Sequence, residues 1–529
     1  MNKVKNQHWA FRIADKLILE MVDPSKRIVC ASGISPSGVV HAGNLREIMT
    51  SDLVYRAIKS RGRDARLLFS WDDFDRFRKV PVGIPTEFSK YIGMPYNNIP
   101  DPFLGYSSYA ERFETQFENE VRQLGISADF IKQNEMYRLG IYDDQIRYSL
   151  LKRREIAQIL ARNMTQGMSS EEIESYYPIS IYSRFTGRDN TDVISFDGES
   201  KLGYICHDTG KKDVIDFTKD KNVKLPWKVD WPMRWKFEGV HFEPGGSDHA
   251  GPGGSYDVAS QIAKEIFGII PPTFIEYQFV RIKGSSVKMS SSKGNVFSPE
   301  DLINIYPPML VRWMYARANP GSLLDIAFDS DVIRAYDEFD RTLDSFRKGS
   351  LEESVHQAIE LSTPHMEDLP LENPISFRQI AGMGDATNFN EQRVLELLNK
   401  EEKRYDLNSV KERLSMARNW MDKYCPEARS RLLGSSNEPF YDTLNEFEKA
   451  QLKKLIEIVT RSENMNLEQI EFELYNIPRK PEMTESEKKQ AQRQFFKIVY
   501  MSLFGREIGP RLPTFVWASD KSNLLKLLR

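Results

Sequence analysis

The sequence predicts an α/β half followed by an all-helical half, and three observations carry that reading. Short β-rich runs alternate with helical periodicity near the N-terminus and again from about Val240. Between them, Pro178 to Lys228 is polar and rich in Gly and Asp, with short alternating runs such as "DVISFDG" and "KLGYICHDTG" that read as a small β insertion. After about Tyr336 the pattern is helical almost throughout. At 529 residues the chain exceeds what one core usually supports, so several domains are expected.

Taken in order, "MNKVKNQHWAFRIADKLILEM" carries charges at helical spacing and no uninterrupted apolar run, unlike a signal peptide or a membrane span. "RIVCASG" and "DARLLFSW" are strand-like, and between them Leu45, Ile48, Met49, Leu53 and Ala57 recur at helical spacing, with Gly62 ending the helix. Strand, helix and strand in that order make a βαβ unit. Asp143 to about Tyr177 is charged and helical, and the α/β pattern that resumes near Val240 includes "TFIEYQFVRIKG". In "DLNSVKERLSMARNWMDKY", Val410, Leu414, Ala417 and Met421 fall on one helical face. Cys30, Cys206 and Cys425 are far apart and odd in number, which argues for a reducing, cytoplasmic setting rather than a disulfide framework.

Charged residues make up 28% of the chain and nearly cancel, to a formal net charge of -3, so contact with a polyanion has to be local. From Lys488 to Arg529 there are nine Lys/Arg and two Asp/Glu, interleaved with Phe495, Phe496, Tyr500 and Trp517. Basic groups there can track phosphates while aromatic rings stack on unpaired bases; at helical spacing the same rings can equally be core.

"SGISPSGVVHAGN", Ser32 to Asn44, joins the first strand to the first long helix. Such a glycine-bearing turn aims free backbone N–H groups and the positive end of the helix dipole at one place, which favours phosphate. Gly33, Gly38 and Gly43 let a nucleotide approach, and His41 can donate from the helix start. A second loop, "KMSSSKGN" from Lys288 to Asn295, offers three serines and two lysines in a glycine-ended turn, chemistry suited to a triphosphate. Asp72, Asp73 and Asp75 in "SWDDFDRFRKVP" invite a metal reading, but Arg76, Arg78 and Lys79 follow at once, so a turn salt-bridged to its own neighbours is expected.

"HAGN" (His41, Ala42, Gly43, Asn44) resembles the HIGH signature of class I aminoacyl-tRNA synthetases, and "KMSSS" resembles their KMSKS loop. Longer stretches, "SWDDFDRFRKVP", "VDWPMRW" (Val229 to Trp235), "GGSDHAGPGGSYD" (Gly245 to Asp257), "ARNWMDKYCPE" and "LFGREIGPRL", resemble the class I lysyl-tRNA synthetases over most of the chain. The resemblance implies a Rossmann-type parallel-sheet catalytic domain in two halves, 1–142 and 240–287, split by an inserted connective region at 143–239. A KMSKS-like loop and stem-contact region would follow at 288–345, then an all-α anticodon-binding domain at 346–529. It implies activation of lysine by ATP and transfer of lysyl to the 3' end of tRNA(Lys), with Mg2+ accompanying ATP, and a cytoplasmic monomer with no membrane contact.

The same resemblance implies the site. His41, Asn44, Lys288 and Lys293 form the catalytic group, with Lys288 or Lys293 neutralising the leaving pyrophosphate. Pro36, Ser37, Gly38, Gly43, Met289, Ser290 and Ser292 join them in binding ATP, Gly43 making room on the adenine side. Gly33 and Ser35 take the backbone end of the amino acid, Glu47 and Tyr277 its ammonium, while Trp231 and His249 line the pocket. A core role for Trp231, and a ribose contact by His249 with Asp248, are the alternatives. Two departures stand out: Asn44 replaces the last histidine of HIGH, and Ser291 replaces the second lysine of KMSKS, with Lys293 two places on. Relatives often carry a Cys/His cluster in the insertion. Here Cys206 and His207 stand nearly alone, and residues 178 to 205 contain neither residue type, so no zinc is expected.

Overall fold

Five consecutive buried residues, Ile28 to Ser32, open the central strand β1 (Ile28–Ile34), the pattern of a parallel strand covered on both faces. The computed structural model describes residues 6–21, 23–283, 297–365, 374–400 and 404–528; the "KMSSSKGN" loop lies outside them. Helix α1 (Trp9–Glu20) precedes β1, and its N-cap His8 accepts from the Ala10 N–H through Nδ1. Helix α2 (Ala42–Ser60) then crosses to β2 (Ala65–Trp71), which pairs with β1 in parallel from Ile28 opposite Ala65 to Ile34 opposite Trp71. Helix α3 (Tyr109–Gln123) leads to β3 (Asp129–Lys132) on the far side of β2.

The insertion follows. Short β4 (Ser180–Ile181) pairs antiparallel with β8 (Val223–Lys224), and β5 (Thr191–Phe196), β6 (Lys201–Cys206) and β7 (Lys212–Asp216) form an antiparallel meander. Its inward residues Leu202, Tyr204, Cys206 and Ile215 are fully buried. The chain then returns to the main sheet through the helix Trp227–Glu238, whose Trp231 and Trp235 pack on Val29, Ala31, Leu68 and Val240. Strands β9 (Val240–Gly246) and β10 (Thr273–Tyr277) complete a five-stranded, all-parallel sheet of order β10-β9-β1-β2-β3. The chain leaves β1 toward β2 and β3 on one side, and β9 and β10 lie on the other. The C-terminal ends of β1 and β9 therefore form the switch-point crevice where open α/β sheets bind ligands. A two-stranded pair, β11 (Val280–Ile282) and β12 (Leu324–Ile326), lies apart from that sheet.

The chain forms two units, one of Met1–Ile303, Pro308–Ile326 and Ser350–Asp368, the other of Asn304–Pro307, Ala327–Gly349 and Leu369–Arg529. In the first, Asp52 of α2 receives both Arg56 at 2.8 Å and the wholly buried Arg312 at 2.5 Å. The two guanidiniums also donate to the carbonyls of Leu124, Gly125, Leu361 and Thr363, tying α2 to the elements around it. In the described residues of the second unit the secondary structure is helical. Tyr336 stacks on Phe377 with centroids 3.9 Å apart, Arg413 is buried against Asp340, and Val410, Leu414, Ala417 and Met421 are buried together on one face as their spacing predicts. Phe495 and Trp517 are also core, so of the four C-terminal aromatics only the half-buried Phe496 and Tyr500 have surface to offer a base. Among the described residues no helix is long and apolar enough to cross a membrane.

Candidate active site

The turn after β1 is held from three directions. The Ser37 N–H donates to Ser35 O at 2.8 Å, the Tyr109 hydroxyl donates to Ser37 O at 3.0 Å, and the Ser35 hydroxyl donates to Asp75 Oδ2 at 3.2 Å. Pro36 and Gly38 are buried within it, while Ser37 is exposed. At Gly33 a Cβ would come within 2.7 Å of Ser70 O on β2, which accounts for glycine there by packing.

At the start of α2, His41 is the N-cap. Its Nδ1 accepts from the Asn44 N–H and the Asn44 Oδ1 accepts from the His41 N–H, each at 3.3 Å, a reciprocal capping box. With Nδ1 an acceptor, the neutral ring carries its proton on Nε2. The "N" of "HAGN" has a local structural role beside any catalytic one. The imidazole also lies over Gly43, where a Cβ would meet it at 2.7 Å, so the space that glycine opens is filled by His41. The Ala42 N–H donates to Phe297 O at 2.8 Å. Two of the first N–H groups of α2 are thus already bonded, fewer being free for phosphate than the turn alone predicts. That last bond also fixes the residue just beyond the second loop beside the first motif. Lys288, Met289, Ser290, Ser292 and Lys293 lie outside the described residues.

One turn further along α2, Glu47 is buried and accepts a hydrogen bond from the Tyr277 hydroxyl at the end of β10. Burial pushes its carboxyl up to about 8, against the Tyr277 hydroxyl and the Gly33 N–H, with Glu243 and Asp248 adding repulsion. Arg46 beside it donates to the carbonyls of Gln278, Asn319 and Pro320, fixing the chain that follows Tyr277. Trp231 stacks on Trp227 at 4.7 Å and tilts against Trp235 at 4.9 Å, so it is core, yet its ring also meets the His249 ring edge-on at 6.2 Å. Asp248 and His249 stand on the short helix Ser247–Ala250 directly after β9. Gly33, Glu47, Asp248 and Tyr277 therefore converge at the C-terminal edge of the sheet, with Trp231 behind His249.

Sequence reasoning missed Glu243. It is buried on β9 and accepts from the Trp235 indole N–H at 2.6 Å. The available signal was an acid inside the apolar strand "VHFEPGG" immediately before "SDHAG".

The acidic turn after β2 is salt-bridged, but not to its neighbours. Asp72 pairs with Arg234 at 2.8 Å and Asp75 with Lys224 at 2.5 Å, while Asp73 accepts from the Asn134 N–H at 2.7 Å. Arg76 turns outward to Asp189 at 3.3 Å. Adjacent side chains on a tight turn diverge, so cations from other elements reach the carboxylates first. The partners of Asp72 and Asp75 both come from the return of the insertion, since Lys224 is on β8 and Arg234 on the helix behind it; Asp230 of that helix takes Lys224 at 3.4 Å and the Tyr137 hydroxyl. His207 in the insertion pairs with Asp192 at 2.8 Å.

An all-parallel sheet thus ends at its switch point in a capped glycine turn, with a buried carboxyl and aromatic rings beside it. The family model described as "tRNA synthetases class I (K)" matches residues 7–365, and the chain belongs to that family. Curated relatives named lysine--tRNA ligase align over nearly the whole chain. One from Pyrococcus horikoshii is 36% identical over 99% of both chains, and one from Borrelia garinii is 34% identical over 97% of both. A solved glutamate tRNA ligase from Elizabethkingia meningosepticum aligns over 95% of this chain and 98% of its own, at 13% identity and a TM-score of 0.42.

Proposed function

We propose that this chain is a lysine-tRNA ligase whose amino-acid pocket is built on Glu47 and Tyr277. The observation that carries the reading is a carboxyl buried at the end of β1, bonded to a tyrosine hydroxyl and making no ion pair among the described residues. A long apolar stem ending in an ammonium group is the ligand that fits such a pocket, because the cation supplies what the buried carboxylate lacks.

The lysine carboxylate attacks the α-phosphorus of ATP, the bond to the β-phosphate breaks, and pyrophosphate leaves. A ribose hydroxyl at the tRNA 3' end then attacks the lysyl carbonyl and releases AMP. Neither step needs a protein nucleophile; both need alignment and charge neutralisation. Glu47 and Tyr277 anchor the far end of the substrate, and Gly33 and Ser35 its backbone end. The His41 Nε2–H and the Asn44 Nδ2 amide donate to the phosphates. Gly38, Gly43, Pro36 and Ser37 shape the nucleotide side, with Lys288, Met289, Ser290, Ser292 and Lys293 closing over it. Trp231, Asp248 and His249 wall the pocket.

Mg2+ rides on the ATP oxygens in this reading. The acids Asp72, Asp73 and Asp75 do not fit it as a ligand set, because Asp72 and Asp75 are already neutralised by Arg234 and Lys224 and Asp73 accepts from the Asn134 N–H, and no step here runs through the ion. The helical unit with its basic C-terminal helices binds the anticodon, and the protein works in the cytoplasm as a monomer without zinc. Incubating the purified protein with ATP, labelled lysine and tRNA(Lys) should accumulate lysyl-tRNA. Charging with a different amino acid in place of lysine would overturn the assignment.

A further inference from the structure

Ser35 is half-buried in the turn after β1, where the proposed function places the backbone end of the amino acid, and this inference rests on that reading. Its hydroxyl has one proton and gives it to Asp75 Oδ2 at 3.2 Å. The oxygen keeps only lone pairs, so toward a ligand it accepts and does not donate. Asp75 is held in turn. Its Oδ1 takes Lys224 Nζ at 2.5 Å, and Lys224, buried on β8, also meets Asp230 Oδ2 at 3.4 Å. Asp230 is fixed by the Tyr137 hydroxyl and by Arg234 at 3.3 Å, and Arg234 reaches across to Asp72 at 2.8 Å. The Asp72 N–H donates to Ile34 O at 3.0 Å, one residue before Ser35, which closes the circuit on the turn. The network holds three carboxyls, Asp72, Asp75 and Asp230, and two cations, Lys224 and Arg234, so it is one cation short. Burial pushes the Asp72 carboxyl up in spite of Arg234, as such a shortfall requires. Asp75 has the most exposed side chain of the five, 23% against 9% or less for the others, and it is the one bonded to Ser35.

We propose that Asp75 and Lys224 are positioning residues for the amino acid, fixing Ser35 as a hydrogen-bond acceptor for the α-ammonium group of the substrate. A cation arriving at Ser35 meets an oxygen that can only accept, backed by a carboxyl cluster that lacks one positive charge. Neither Asp75 nor Lys224 needs to touch the substrate; both act through the Ser35 hydroxyl. Lys224 belongs to the β insertion, so a strand outside the main sheet takes part in setting how the crevice of that sheet binds its amino acid. The Asp75→Asn side chain would keep its carbonyl on Lys224 and turn its amide toward Ser35. The hydroxyl would then accept from the amide and aim its own proton at the ligand, presenting an ammonium group with a donor.

Asp75→Asn and Ser35→Ala, made singly and together in the full chain, are compared by lysine-dependent pyrophosphate exchange with tRNA present. The competing probe is ε-aminocaproate, the lysine analogue that lacks the α-amino group. Asp75→Asn should raise KM for lysine about ten-fold, the worth of a hydrogen bond to a charged group. KM for ATP and the inhibition constant of ε-aminocaproate should stay within about two-fold. In the Ser35→Ala background the substitution should add nothing to KM for lysine, because the two residues act as one unit. Lys224→Met should raise KM for lysine in the same sense and Lys224→Arg by less; KM reads only folded molecules, so partial misfolding of either leaves the comparison legible. Equal losses for lysine and ε-aminocaproate, a rise undiminished in the Ser35→Ala background, or no rise from Asp75→Asn would overturn the inference and leave the Glu47 pocket standing. An unchanged KM for lysine in Ser35→Ala alone would overturn the placement of Ser35, and the inference with it.

Discussion

Glu47 is the residue on which the pocket turns. In the proposed pocket a buried carboxyl held by the Tyr277 hydroxyl and the Gly33 N–H is costly to ionise alone, and a substrate ammonium group would offset that cost, so the position would select for charge as well as length. Glu47→Gln keeps the shape and the Tyr277 contact but removes the charge. It should raise KM for lysine by about 100-fold, roughly the worth of a desolvated charge-assisted hydrogen bond, while KM for ATP stays within about two-fold. Steady-state charging kinetics decide this, and equal effects on both substrates would refute the ammonium role. That Glu47 stands near the turn was legible from its place just beyond "HAGN", its proposed pocket role only from the resemblance. The burial of Glu243 was not legible, because an acid in an apolar strand reads locally as an edge or an error. Gly43 was legible as a close approach, but the group approaching it is the His41 ring.

At the scale of elements, the insertion is joined to the catalytic edge by charge. Lys224 of β8 and Arg234 of the following helix neutralise Asp75 and Asp72, and Asp75 in turn orients the Ser35 hydroxyl. Arg234 is nine-tenths buried, so its removal leaves buried Asp72 without its guanidinium partner and Asp230 with Lys224 and the Tyr137 hydroxyl alone. Arg234→Ala should cost about 3–5 kcal/mol in a denaturant melt, the usual penalty for breaking a buried pair. An exposed pair would cost under about 1 kcal/mol, and that smaller result would show the network to be solvated. The strand-turn-helix of residues 28–60, the small β insertion and the resumption of an α/β pattern near Val240 could all be read from periodicity. The pairing of the acidic turn could not, since sequence neighbours suggest Arg76, Arg78 and Lys79 while Asp75 pairs with Lys224 and Asp72 with Arg234, the latter 162 residues away.

For the whole molecule, an α/β half before a helical half was visible in the change of period near Tyr336. The return of Ser350–Asp368 to the first unit was not, because a helix carries no mark of the unit it packs against. The aromatic residues of the basic C-terminal stretch divide in the same way, Phe495 and Trp517 belonging to the core by a margin that spacing alone does not reveal. In the proposed function a nucleotide turn and a pocket selective for an ammonium group form one activation site. Amino-acid-dependent exchange of pyrophosphate into ATP, run with each of the twenty amino acids and with tRNA present, tests that claim most directly. Lysine alone should support exchange well above background; exchange supported equally by an uncharged or acidic amino acid, or by none, would contradict it.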